Sequence, residues 1–214
     1  MPTAEVLREF SLARAKEVKR VFERRGFEVF VAPSVAESRE VVERIVPEDA
    51  LVAWGGSMTL EESGIKDLLR TGPYRVLDRD RAASAEEVER IYRETFSCDY
   101  FFMSANALSL DGHIVNIDGR GNRLAALLFG PRYVVMVVGW NKVAATLDEA
   151  LARAKHLAAP LNATRLEKHT PCRRSTVCED CLGDESICSH TVITRRSVPR
   201  GRIKLILVGQ RLGF

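Results

Sequence analysis

The order in which apolar runs and helical stretches alternate constrains this chain most. "FEVFVA" (27–32), "ALVAWGG" (50–56), "YRVLDRD" (74–80), "DYFFMSANA" (99–107) and "RYVVMVVGW" (132–140) have strand length and are rich in β-branched, aromatic or other apolar residues. Between the first four lie segments with apolar residues at helical spacing, joined by short connections. Strands linked through helical crossovers run parallel, and the crossovers cover the sheet faces with helices. The sequence therefore predicts an α/β fold: three layers, α/β/α, around a mostly parallel sheet. "RYVVMVVGW" is its most apolar strand and is expected at the centre. Residues 4–25 form a helix stopped by Gly26, and "SMTLEESGIKDLLRTG" is the helix after the second strand. Ser34, Ser84 and Thr146 each precede a glutamate by three residues, the spacing of a capping box.

The pattern changes after residue 107. "ALSLDGHIVNIDG" holds two short β runs split by Asp111-Gly112, a strong hairpin signal. "RGNRLAALLFG" reads as a helical turn, "TLDEALARAKHLAAP" as a helix ended by Pro160, and residues 191–196 and 202–209 as closing strands. One domain over residues 1–214, with a Cys-rich loop at 161–190, accounts for the whole. The net charge of +3 and the lack of aromatic–basic interleaving argue against nucleic acid. Arg195, Arg196, Arg200, Arg202 and Lys204 form either a solvated face or a docking surface for an acidic partner. The charged start has no signal-peptide core, and no apolar run approaches the ~20 residues that span a bilayer. A cytoplasmic protein with reduced thiols is expected.

Against that background, "HTPCRRSTVCEDCLGDESICSH" (169–190) gathers four of the five cysteines: Cys172, Cys178, Cys181 and Cys188, spaced C-x5-C-x2-C-x6-C. The C-x2-C pair lets two thiolates face one centre from a tight turn, and the outer pair completes four-coordination. A [4Fe–4S] cluster and zinc both accept four thiolates, and disulfides or free thiols remain a third reading. The uneven spacing suits the wider cluster better than two zinc knuckles. His169 and His190 flank the loop, but four cysteines already suffice. Cys98 stands apart and reads as a small buried hydrophobe.

Three further stretches carry polar chemistry. In "WGGSMTLEES", Gly55 and Gly56 permit a tight turn, and Ser57 and Thr59 open a helix whose N–H groups would hold a phosphate or carboxylate. The competing reading is a plain N-cap. In "SANALSLDGHIVNIDGRGNR", Asn106, Asn116, Asp118, Gly119, Gly121, Asn122 and Arg123 are either turn formers or a polar pocket with Arg123 as an anion fork. Asn141 and Lys142 follow the central strand, Lys142 as an anion contact or a solvated loop lysine. All three stretches fall where parallel strands end, the edge at which such sheets bind ligands.

"AWGGSMTLEESGIKDLLRTG", "SANALSLDGHIVNIDGRGNRLAALLFGP" and "VVGWNKVAATLDEALARAK" resemble the LUD (lactate utilisation) domain family, and "TPCRRSTVCEDCLGDESICSHTVITRR" resembles the tail of its short, cysteine-bearing members. The resemblance covers about residues 4–210. It implies the fold shared with ribose-phosphate isomerases, CoA transferases and 5-formyltetrahydrofolate cyclo-ligase. It also implies a role in oxidising L-lactate to pyruvate, where related subunits form an iron–sulfur complex. By position it carries a pocket onto Gly55, Gly56, Ser57, Thr59, Asn116, Asp118, Gly121, Asn122, Arg123, Asn141 and Lys142, and a metal motif onto the four cysteines. The chain lacks the ferredoxin-like cysteine runs of the larger subunit and so is not that subunit. A small anionic metabolite, lactate-oxidation subunits and a second copy of the chain are the expected partners. A non-redox isomerase- or ligase-like enzyme with structural zinc, or a regulatory binding protein, stands as the alternative.

Overall fold

The computed structural model describes residues 2–214. Its main sheet has six strands: β1 (Glu28–Ala32), β2 (Leu51–Trp54), β3 (Arg75–Leu77), β4 (Tyr100–Met103), β7 (Tyr133–Gly139) and β10 (Ile203–Val208). They lie in the order β1-β10-β7-β4-β2-β3, and every neighbouring pair is parallel. A smaller sheet has the order β8-β5-β6-β9, built from β5 (Ala107–Ser109), β6 (Ile114–Asp118), β8 (Val143–Ala144) and β9 (His190–Thr194). β5 and β6 are the expected antiparallel hairpin.

Alternation along the parallel strands builds two cores. Met103, Val134, Met136, Val138, Leu205 and Leu207 face Val18 and Phe22 of α1 (Thr3–Arg24), with Leu124 and Leu127 of α6 (Asn122–Leu128). Val52, Phe102, Val135, Val137 and Ile206 face Val41 and Val42 of α2 (Val35–Ile45), with Leu60 of α3 (Met58–Glu62) and Leu69 of α4 (Ile65–Thr71). The sheet is thus covered on both faces, and β7 is buried from Val134 onward. Stripping a fully buried aromatic such as Phe102 to alanine would cost about 3–5 kcal/mol. Ser34, Ser84 and Thr146 cap α2, α5 (Ala85–Glu94) and α7 (Leu147–Arg153), each accepting from the N–H three residues on.

Three sequence expectations change. The run 99–107 is two strands, because the chain leaves the main sheet at Ser104–Asn106 to enter the small one. The helix after β2 breaks in two at Gly64, which takes a left-handed backbone (φ 66°). Pro160 does not end its helix. A π-helical turn at Ala154–Ala158 joins α7 to α8 (Ala159–Arg165), with Pro160 in the first turn of α8, where a missing N–H costs little. The irregular segment therefore begins later than residue 161. A short helix α9 (Pro171–Ser175) carries Cys172, and within 161–190 the stretches 166–170 and 176–189 have neither helix nor strand.

Candidate functional site

Consecutive strand ends build one cavity of about 240 Å³. Across β7, β4, β2 and β3, the carboxyl ends lead into Lys142, then Ser104–Asn106, then Gly56–Ser57, then Arg79, and all of these line it. Asp118 from the end of β6, Asn122 and Arg123 from α6, and Asn162 and Arg165 from α8 close the other side. Three guanidinium groups and the Lys142 amine thus meet one acidic side chain, Asp118, among the described lining residues.

That carboxylate is already committed. Asp118 accepts from the Arg120 and Gly121 N–H groups at 3.0 and 2.9 Å and pairs with Arg123 Nε at 3.1 Å. Gly121, at φ 83°, makes the left-handed step into α6. The rest of the Arg123 guanidinium donates to Asn116 Oδ1 at 3.0 Å, the Ser104 carbonyl at 3.3 Å and the Ile117 carbonyl at 2.7 Å. Four of its five N–H groups are therefore engaged inside the protein. Gly55 is needed for this arrangement, since a Cβ there would stand 2.9 Å from Arg123 Cδ. Arg123 is a strut tying β6 and α6 to the end of β4, and the cations with more freedom are Arg79 and Arg165. Arg79 is steadied by Tyr92, whose hydroxyl accepts from Nη1 at 2.7 Å, and its Nη2 would stand 2.9 Å from a Cβ on Gly56. Arg165 leans on Asn162 Oδ1 at the exposed mouth.

Lys142 is 3% exposed and donates to Thr59 Oγ1 at 2.8 Å and Ser104 Oγ at 3.1 Å. Burial, then the nearby Arg153 and Arg123, push its ammonium down to about 7. Thr59 and Asn141 act behind it rather than at the cavity. Thr59 donates to the Leu212 carbonyl at 3.3 Å, while Asn141 accepts from Leu212 N and donates to the Gly213 carbonyl, both at 3.0 Å. Together they hold the chain at 212–213 over the lysine. Ser57 caps α3 by accepting from Leu60 N, and α3 has only five residues. Asn116 is fully buried behind Arg123.

The family-model comparison matches a LUD domain over residues 15–208, nearly the whole chain. The chain belongs to the LUD domain family. That family is linked to lactate utilisation. A DUF162 family protein from Deinococcus radiodurans aligns over 94% of this chain and 97% of its own, with a TM-score of 0.51 and 15% identity. Ribose 5 phosphate isomerase A from Neisseria gonorrhoeae (TM-score 0.34, 16% identity) overlaps 53% of this chain and 54% of its own. eIF2B beta from Chaetomium thermophilum (0.34, 17%) overlaps 54% and 43%. No curated protein matches.

The LUD chain's four clustered cysteines line a second cavity, of about 170 Å³, together with Ile117 and Thr191 of the small sheet and Lys155 and Ala159 of the long helix. Burial and the three neighbouring sulfurs push the Cys188 thiol up to about 11. Among the described residues no three His, Cys, Asp or Glu side chains stand close enough to hold one metal ion. His169 pairs with Glu185 at 2.8 Å, and the His190 ring lies against Gly121; neither lines this cavity. Cys98 is buried in the main core, and its thiol is pushed up to about 12. Among the closing basic residues, Lys204 pairs with Glu28, and Arg202 donates to the Ala126, Leu127 and Pro131 carbonyls.

Of the residues singled out in the sequence, Gly56, Ser57, Asn106, Asp118, Asn122, Arg123 and Lys142 line the cavity, while Arg79, Ser104, Asn162 and Arg165 line it without having been singled out. Arg79 and Ser104 follow from the same strand-end logic applied to every strand. Asn162 and Arg165 lie beyond Pro160 on a helix that the sequence reading stopped too early.

Proposed function

We propose that this LUD-domain chain binds a small metabolite bearing a carboxylate or phosphate in the strand-end cavity. It carries a [4Fe–4S] cluster on Cys172, Cys178, Cys181 and Cys188 and serves, with partner subunits, the oxidation of L-lactate or a related 2-hydroxy acid to pyruvate. The carrying observation is the charge of the cavity: the guanidinium groups of Arg79, Arg123 and Arg165 line it beside the Lys142 amine, Asp118 is the one acidic side chain among the described lining residues, and no carboxylate among them accepts from Lys142. An anion is the ligand that relieves this imbalance. The cluster reading is supported by the four thiols lining one cavity and by their uneven C-x5-C-x2-C-x6-C spacing. A cubane meets each thiolate at a separate iron and so accepts ligands set further apart than the four around one zinc ion.

Calorimetric titration with inorganic phosphate, L-lactate and pyruvate tests the cavity. Arg79→Ala removes one charge-assisted contact of about 1.5–3 kcal/mol, so affinity should fall roughly tenfold to 150-fold. Unchanged affinity moves the site elsewhere. Iron and acid-labile sulfide analysis of anaerobically prepared protein tests the cluster, and stoichiometric zinc without sulfide sinks it.

A further inference from the structure

Three lysines are buried among the described residues, and two of them are neutralised. Lys66 donates to Glu61 and Asp80, and Lys204 to Glu28. Lys142 has only the hydroxyls of Thr59 and Ser104. The charged groups that act on it are Arg153 from α7, Arg123 from α6 and Glu62 from α3. Glu62 is itself engaged by the Gly213 N–H at 2.7 Å. A desolvated lysine among cations keeps a free lone pair near neutral pH, which is how lysine nucleophiles are activated. Anion binding alone calls for the opposite, a lysine held charged. Ser104, whose hydroxyl touches Nζ, lines the same cavity.

We propose that Lys142 is a catalytic nucleophile that forms an iminium with a small metabolite carrying a carbonyl beside a carboxylate or phosphate. This rests on the reading of the cavity as an anion site. The Nζ lone pair adds to the carbonyl carbon. The carbonyl oxygen then leaves as water, taking one amine hydrogen and one proton from solvent, and a protonated C=N bond to Lys142 remains. Ser104 Oγ is placed to pass that proton, and Arg79 and Arg165 hold the anionic end. The iminium carbon is electron-poor, so a metabolite with hydrogen on the adjacent carbon is activated to lose a proton there, the C–H electron pair moving into the C=N bond to give an enamine.

The test is reductive trapping on the intact chain, with phosphate binding measured beside it by calorimetry. One arm uses pyruvate and glyoxylate, the other dihydroxyacetone phosphate, each with cyanoborohydride and peptide mapping by mass spectrometry. The expected result is one adduct per chain, on Lys142, suppressed at least tenfold by saturating inorganic phosphate. The arm that traps identifies carboxylate or phosphate as the anionic group. Trapping should speed up as pH rises through about 7, where the amine loses its proton. Lys142→Met, checked by thermal melting to be folded, should give no adduct. Phosphate binding with no adduct, or with adducts spread over other lysines such as the exposed Lys16, overturns the inference and leaves the anion site standing. Failure of phosphate and both carbonyl classes to bind removes the anion site and the inference together.

Discussion

The strand-end cavity and the thiol cavity share a wall at Ile117, yet their surroundings are opposite. Around the first, Lys142 and Ser104 are 3% and 5% exposed, and each follows a strand of the main sheet. Around the second, the chain from 176 to 189 has neither helix nor strand, and Leu182 is 97% exposed. The first site is preorganised: packing of the sheet holds charges together that would otherwise separate, at a standing cost in stability. The second is underdetermined: its thiols are collected, but little apolar burial holds them, so whatever binds there must supply the ordering energy.

The largest expected effect measures that standing cost. Lys142 titrates near 7 when folded, against about 10.4 in an unfolded chain. Between these values the unfolded state binds more protons, so stability rises with pH across the window, and the full penalty applies below about 7. Its upper bound is about 4–5 kcal/mol. Lys142→Met should remove this slope and match or exceed wild-type stability at pH 6.5, since Thr59 and Ser104 keep carbonyl partners at Leu212 and Ala105. Denaturant unfolding at pH 6.5 and 9.5 decides it. Equal slopes in the two proteins would mean that the cavity stores no such strain.

Arg123→Ala should come next. It strands Asp118, whose side chain is 10% exposed, and breaks the link from β6 to the end of β4. Removing one partner of a buried pair costs about 3–5 kcal/mol. The loss should appear in thermal and denaturant unfolding before any effect on ligand affinity, the reverse of Arg79→Ala. A variant of wild-type stability would return Arg123 to the role of a free anion fork.

The loop should respond to its ligand where the cavity does not. Iron–sulfur reconstitution should slow proteolysis within residues 176–189 by up to about a hundredfold, the effect of ligand at 100 times its dissociation constant (about 2.7 kcal/mol). Cleavage in the main sheet should not change. Equal rates with and without the cluster would make the loop as preorganised as the cavity.

The same difference explains what the sequence made legible. The parallel sheet, its central strand and three helix caps could be read because they depend on local periodicity and cap chemistry. The convergence on Lys142 could be read because parallel strands end on one edge. That Lys142 is buried without a counter-ion was not legible, since the chain at 212–213 that covers it is some 70 residues away in sequence. Nor was the engagement of Arg123, whose partners include two backbone carbonyls. The π-helical turn that carries the helix through Pro160 to Arg165 is set by tertiary packing, and no residue pattern announces it.

The smallest effect tests whether the two sites are independent. Ile117 lines both cavities, and Ile187, which lines the anion cavity, directly precedes Cys188 of the thiol cavity. A backbone step that brings Cys188 onto a cluster must therefore move the Ile187 side chain against the anion cavity. Gly119 tightens this link, because a Cβ there would stand 2.9 Å from Ile187 Cα, so the turn after β6 and the loop are in contact. Cluster loading should accordingly change phosphate affinity, by roughly fivefold, the low end of coupling between linked sites. Linkage requires the reciprocal effect: saturating phosphate should shift the midpoint of metal binding by the same factor. Ile187→Ala, which shortens the side chain between Cys188 and the anion cavity without removing a thiol or a cation, should reduce both shifts together. If phosphate affinity is the same in apo and loaded protein, the cavities are neighbours without communication, and the loop serves its ligand alone.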